Sequence, residues 1–483
     1  GVFDLFDAAV GVALRVEPAA RSAPLLEAEM PWEADDSVSP LFIWKTDDGF
    51  HMLYESESGT CYATSDDAYR WQRPELGEVD FDGSTANNIL KDGIVGSTGV
   101  FIDPHAPSQE RFKAMGGDMA WYDPATCEAL DAGEARKRYD AQEYEGASYD
   151  GPRAEVWGRM LGWTSPDGLR WEPLPEALGN RPVNGGISAG YDKATERYFC
   201  YQQIMGYPTE VLNGIGTASM EEESQRRTIA FSYTKDFRSW PAPKLIMAPD
   251  AHDDLDIDFY GGNYFPYPGR TDLHAMIVPV FHRGAGHVDL QIAFSRDGLF
   301  WTRPDRRAIL AVGAPGSGED CQLHPWRSGL VELPDGNWAV AYNGLSMLHN
   351  AREKFPGYLF PHRRKPQIRY ALWRPHRLFG IEADREGRLT IPTIYRQADR
   401  LRLNYRCATG GWIAVELLPK TPNRLQPDPA PVAGFTFAEC DRLMGDESDR
   451  VVTWNGNSDI SSIGESISVR VRMFQAKLFA YNV

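Results

Sequence analysis

The chain has 483 residues, 42% of them hydrophobic and 12% aromatic, and a formal net charge of −18. That composition belongs to a folded protein, and its acidity argues against nucleic acid or an anionic membrane as the main partner. No stretch approaches the roughly 18 apolar residues of a membrane span, and six dispersed cysteines without a C-x-x-C pair exclude a zinc ribbon or a disulfide framework.

The opening "GVFDLFDAAVGVALRVEP" carries Asp4 and Asp7 where a secretory signal carries basic residues. Together with the thiols, this gives a cytoplasmic location as the expectation. From residue 38 one phrase recurs: a short apolar run, a Gly/Asp/Pro turn, an alternating aromatic strand, then a hydroxyl–aspartate turn closed by tryptophan. The closing phrases are "TSDDAYRW", "TSPDGLRW", "YTKDFRSW" and "FSRDGLFW", ending at Trp71, Trp171, Trp240 and Trp301. In each, the aspartate is suited to accept backbone N–H groups while the tryptophan packs between neighbouring units. A fifth, degenerate unit reads "SGLVELPDG", "NWAVAYNG" and "IRYALWRPHRLFG" and lacks both the turn and the tryptophan.

Four strands per unit and five units predict an all-β fold, a five-bladed β-propeller over residues 1–390. The long step to Trp171 places a polar insertion at about 122–155, a surface excursion or lid. After about residue 390 the pattern changes to alternating strands without the repeat, such as "GWIAVELL" and "SISVRVRMF". This predicts a small antiparallel β-sandwich over 391–483.

The order "MPWE", "CYATSDD…W…PELG", "DGSTANNI", "FIDPHAPSQERFKA", "TSPDGLRW", "FSRDGLFW" resembles bacterial family-32-like glycoside hydrolases. The segment from "LNY" through "GFTFAECDRLMGDESDRVVTWNG" to "AKLFAYNV" resembles their C-terminal domain, so the likeness covers almost the whole chain. It implies a catalytic propeller related to the fructosidase and arabinanase clans, followed by a sandwich. The chain departs from typical family 32 enzymes in lacking both their W-[ML]-N-D-P-N-G-like motif and an E-C motif in the third blade; "GEDC" at 318–321 precedes the fifth blade. No nucleophile or acid is therefore carried over by position.

Glycoside hydrolysis usually needs two carboxyl groups, and residues entering the innermost strands of a propeller converge on one pocket. On this basis Asp258, Glu319 and Glu33 are the candidate catalytic residues. Asp258 opens a D-x-Y phrase with Tyr260 that recurs in the resembling family, and Glu33 follows Trp32, whose ring is suited to stacking on a sugar. Candidate substrate-binding groups are Trp32, Asp36, Asp103, Asn184, Tyr260, His282, Arg283, Asp320 and His324. The run from His252 to Asp258 offers carboxylate oxygens for a structural calcium but lacks EF-hand spacing; otherwise no metal or cofactor is expected. The reading is an exo-acting glycosidase with a carbohydrate substrate. Its alternatives are a glycoside phosphorylase using Arg283, Arg327, His282 and His324 for phosphate, and a non-catalytic carbohydrate-binding propeller.

Overall fold

The computed structural model describes residues 7–33, 38–94, 99–122, 155–179, 186–205, 226–325, 329–349, 364–420 and 429–483. Among them the only helical pieces are two short 3-10 turns. Everything else regular is strand, as the β-branched and aromatic runs between turn residues require.

Five antiparallel units form in chain order. Blade 1 comprises Ser39–Thr46, Gly49–Ser56 and Gly59–Ser65, extended by a bridge between Thr64 and Gln72. Blade 2 comprises Gly99–Ile102, Phe112–Tyr122, Glu155–Ser165 and Glu172–Pro173, and blade 3 Ile187–Asp192, Arg197–Met205, Arg227–Thr234 and Lys244–Met247. In blade 4 the innermost strand is split into Ile257–Phe259 and Asn263–Pro266, both paired with His274–His282; His287–Ser295 and Trp301–Thr302 follow outward. Gly261, with φ of +106°, makes that split, in a conformation a side chain rarely tolerates.

Blade 5 comprises Gln322–His324, Val331–Glu332, Trp338–Leu345 and Gln367–Trp373. Its outer strand is not the next piece of chain but the N-terminal pieces Ala20–Arg21 and Leu26–Glu27. This explains the degeneracy of the fifth unit. In blades 1 to 4 the hydroxyl–aspartate turn and its tryptophan connect the third strand to the outer edge. In blade 5 that edge comes from elsewhere, so the connection has no function there, and the ring closes end to end.

The turns behave as their residue types dictate. In blade 2, Asp167 Oδ1 accepts the backbone N–H groups of Leu169 and Arg170, both at 2.9 Å, and Trp171 Nε1 donates to Gly168 O at 2.9 Å. The same bonds recur around Asp67 and Trp71 and around Asp297 and Trp301. Trp71 packs in the core shared by blades 1 and 5, Trp171 between blades 1 and 2, and Trp240 between blades 2 and 3. The tryptophans are the mortar between blades.

The C-terminal sheet has the order Asp7–Val10, Phe379–Tyr395, Ser466–Asn482, Arg402–Pro419, Asp446–Val451, with Ala13–Val16 also on Phe379–Tyr395. Its three long strands are each interrupted by a bulge, and residues on both sides of the bulges share one core that includes Leu403, Val415, Val471 and Leu478. The sheet therefore starts before the change of pattern near 390, and it takes two strands from the N-terminus. Exposed alternation in sequence does not reveal that a strand eleven residues earlier, or one near residue 10, pairs into the same sheet. Lys477, buried here, donates to Val16 O at 2.7 Å and Glu17 Oε2 at 2.9 Å, tying the sheet to the chain as it enters the propeller.

Candidate active site

All five innermost strands run in the same sense around the ring, so the residues at their starts share one rim and those at their ends share the other. A small pocket opens where blades 3, 4 and 5 meet, beside the split in the blade 4 inner strand. It is lined by Gly186, by Tyr260, Gly262, Asn263 and Pro279, and by His324 and Pro325.

Asp258 lies within the first piece of the split blade 4 strand and is fully buried. Its Oδ2 accepts from Arg283 Nε at 2.9 Å and Arg227 Nη1 at 3.1 Å, and Arg226 Nη1 stands 4.0 Å from Oδ1. Oδ1 is buried and meets no hydrogen-bond donor among the described residues. Two residues on, Tyr260 shares a 2.5 Å hydrogen bond with His349 Nε2, and the Arg227 guanidinium stacks 5.0 Å from the Tyr260 ring. His324, at the end of the first blade 5 strand, faces the Tyr260 ring at 5.7 Å and shares a 3.1 Å hydrogen bond with Gln322 Oε1. Asn263 holds Gly329 N with its Oδ1 at 3.0 Å, while its buried Nδ2 has no partner. Among the described residues, Gln202 Nε2, both polar atoms of Gln203, and Asp320 Oδ1 are also buried without partners. Buried polar groups are normally satisfied, so this concentration in blades 3 to 5 makes the region a candidate polar site.

The other predicted residues divide. Asp320 sits on the same rim; its Oδ2 accepts Gly316 N at 2.8 Å, and burial followed by its charge pushes the Cys321 thiol up to about 11. Glu319, beside it, turns into the blade 5 sheet. Its Oε2 accepts the Tyr342 hydroxyl at 2.5 Å, and its Oε1 meets Arg21 Nε at 3.1 Å and Arg369 Nε at 3.9 Å. Burial, then Glu319, raises the Tyr342 hydroxyl well above its ordinary range, so that it remains a donor.

Glu33 repeats that arrangement in blade 1 and completes it. Its oxygens accept from Arg73 at 2.7 and 2.9 Å, from the Tyr54 hydroxyl at 2.6 Å, and from the backbone N–H groups of Glu29 and Met30 at 3.1 and 3.2 Å. Trp32 donates to Asn88 Oδ1 at 2.8 Å and packs edge-on to Phe81, a packing role rather than an open platform. Asp103 follows the end of its strand, on the opposite rim from Asp258. It caps His105 N at 2.9 Å and accepts the Tyr198 hydroxyl at 2.6 Å. Arg283 holds Asp258, whereas His282 projects to the other face and pairs with Asp289, a contact that raises it above the usual histidine range. Asp36, Asn184 and Arg327 lie outside the described residues.

The acidic run before Asp258 turns to arginines: Asp253 to Arg303 and Arg306, Asp250 to Arg306, while Asp256 Oδ2 accepts Gly284 N at 3.1 Å. Sequence reasoning missed His349, Asn263, Gln202 and Gln203. The adjacent glutamines in the otherwise apolar and aromatic strand "RYFCYQQIM" were the one legible signal; the histidine in "SMLHN" had none.

No family model and no curated protein matches this chain. Solved structures that resemble it include an N-acetylgalactosamine deacetylase from F. plautii in complex with blood group B trisaccharide. That alignment is 14% identical over 74% of this chain and 94% of the other, with a TM-score of 0.40. An α-L-arabinofuranosidase from Podospora anserina in complex with cellotriose aligns at 10% identity over 74% and 98%, TM-score 0.41. An endo-arabinase from Bacteroides thetaiotaomicron VPI-5482 aligns at 13% identity over 72% and 96%, TM-score 0.34. Identities and overlaps this low do not transfer those activities to this chain.

Proposed function

We propose that this chain is a glycoside hydrolase that takes one terminal sugar residue into the cup between blades 3, 4 and 5. The observation that carries the reading is Asp258: a buried carboxylate on an innermost strand, clamped on one oxygen by two guanidinium groups, its other oxygen without a hydrogen-bond donor among the described residues. A positioned acceptor without a donor is what a sugar hydroxyl, an anomeric carbon or an attacking water would use. Asp320, next in sequence to Glu319, which Tyr342 and Arg21 take up, is the candidate for a second carboxyl. Tyr260, His324 and Asn263 offer the mixture of ring faces and polar groups that orients a pyranose or furanose. The resemblance to family-32-like hydrolases points to the same chemistry.

Aryl glycosides of fructose, arabinose, galactose and glucose test the proposal. Turnover of one of them, abolished by Asp258→Asn and lowered by Asp320→Asn in proteins that still unfold cooperatively, supports it. Full activity of Asp258→Asn overturns it. The clustering of Arg226, Arg227 and Arg283 about Asp258 favours one second reading, phosphorolysis, because guanidinium forks are natural phosphate ligands. Turnover that rises with added inorganic phosphate and yields a sugar phosphate selects that reading. Saturable sugar binding with no turnover selects a binding propeller instead.

A further inference from the structure

The hairpin between the second and third strands of blade 4 carries a cluster that the sugar cup does not use. His282 ends the strand His274–His282, His287 starts His287–Ser295, and the two are direct cross-strand partners. Cross-strand partners share a face of the sheet, and so do residues two apart in one strand. His282, His287 and Asp289 therefore project to the same side, and one donor atom from each lies within 4.8 Å of the other two.

The contacts within the cluster are incomplete in a particular way. The imidazoles stack with centroids 4.4 Å apart and planes 25° from parallel. His282 Nε2 meets Asp289 Oδ2 at 3.1 Å, while Asp289 Oδ1 is buried with no hydrogen-bond partner among the described residues. Protons satisfy this group poorly. A proton on His282 serves one carboxylate oxygen and leaves His287 without a role, and protonating both rings stacks two cations face to face. A single divalent cation would take one nitrogen from each ring and one carboxylate oxygen once the imidazoles turn out of their stack.

We propose that His282, His287 and Asp289 form a binding site for one divalent transition-metal ion of the zinc type. Two imidazole nitrogens and one carboxylate oxygen are the ligand set of borderline cations, whereas calcium and magnesium take oxygen ligands. Three protein ligands leave a further position for water. The metal clasps the two strands at the root of the turn that bears Arg283, whose Nε holds Asp258 at 2.9 Å. It stands beside the sugar cup as a brace, not within it.

The test uses the full chain stripped with a chelator and titrated with cobalt(II), whose visible absorption reports nitrogen and oxygen ligation. One cobalt per chain is expected, displaced by zinc and not by excess calcium, with zinc raising the Tm of the stripped protein. His287→Ala combined with Asp289→Asn is expected to weaken cobalt binding by at least about tenfold. If that variant does not fold, His287→Gln alone serves the same comparison. Absence of cobalt binding by the stripped wild-type chain overturns the proposal, as does undiminished binding in a folded variant.

Discussion

Blade 1 and blade 4 each bury a carboxylate against arginine near the start of an innermost strand, and they do so to opposite effect. Glu33 is closed: both oxygens are filled by a bidentate guanidinium, a tyrosine hydroxyl and two backbone N–H groups. Asp258 is half open: its donors crowd one oxygen and leave the other buried and unmet. Burial and an arginine partner do not separate an anchor from a working group. What differs between them, among the described residues, is whether every oxygen has a donor, and a buried oxygen without one costs free energy that a bound group would recover.

Exchanging each carboxylate for its amide breaks the comparison most sharply. Asp258→Asn is expected to lower kcat/KM on a responsive glycoside by about 10²–10⁴-fold, the span of a lost acid–base group. Steady-state kinetics beside a thermal melt measures this. Glu33→Gln is expected to leave turnover per folded molecule intact and to cost about 3–5 kcal/mol of stability, since Arg73 then keeps a largely buried charge without its counter-ion. Denaturant unfolding of both proteins reads that difference; a Glu33→Gln enzyme that is stable but dead would reverse the assignment of the two residues.

Blade 5 offers a milder version. Glu319 pairs with Tyr342 and Arg21 much as Glu33 pairs with Tyr54 and Arg73. Tyr342→Phe removes one donor from a buried acceptor and is expected to cost about 1–3 kcal/mol with activity unchanged. A large loss of activity in that variant would return Glu319 to the list of reacting groups.

The smallest effect concerns acid. The backbone N–H groups of Arg70 and Tyr69 hold Asp67 below its ordinary 3.8. At Asp167 and Asp297 partial burial acts upward, but the backbone N–H groups outweigh it and both are lowered as well. A carboxylate with a depressed folded value stabilises the fold fully above the unfolded value of about 4 and loses that contribution as pH falls through the folded value. Wild-type Tm is thus expected to drop faster below about pH 4 than that of an Asp67→Asn, Asp167→Asn, Asp297→Asn triple variant. Melts across that range compare the slopes.

Much of the architecture was legible because it is written locally. An aspartate two residues after a hydroxyl and a tryptophan four further on make the same turn wherever they occur, since all their bonds fall within a few residues. Repetition of that turn gave four blades and, by its absence, a fifth of a different kind. The candidate site was legible only in part. Asp258, Tyr260, Arg283 and His324 were marked by their place before or beside an innermost strand, a sequence-local property. The same rule also marked Glu33, Glu319 and Asp103, because a carboxylate at a strand boundary looks alike whether its oxygens are filled or empty.

What the chain's order of residues determined, then, was the number of blades, the turns between them and the identity of the tryptophans that join them, all consequences of short-range hydrogen bonding and alternation. Tertiary structure alone decided that residues 20–27 close the ring, that the N-terminus enters the last sheet, and which acidic side chains are left with an acceptor unfilled. Those outcomes depend on partners tens to hundreds of residues away, and a free lone pair is known only when every donor around it has been placed.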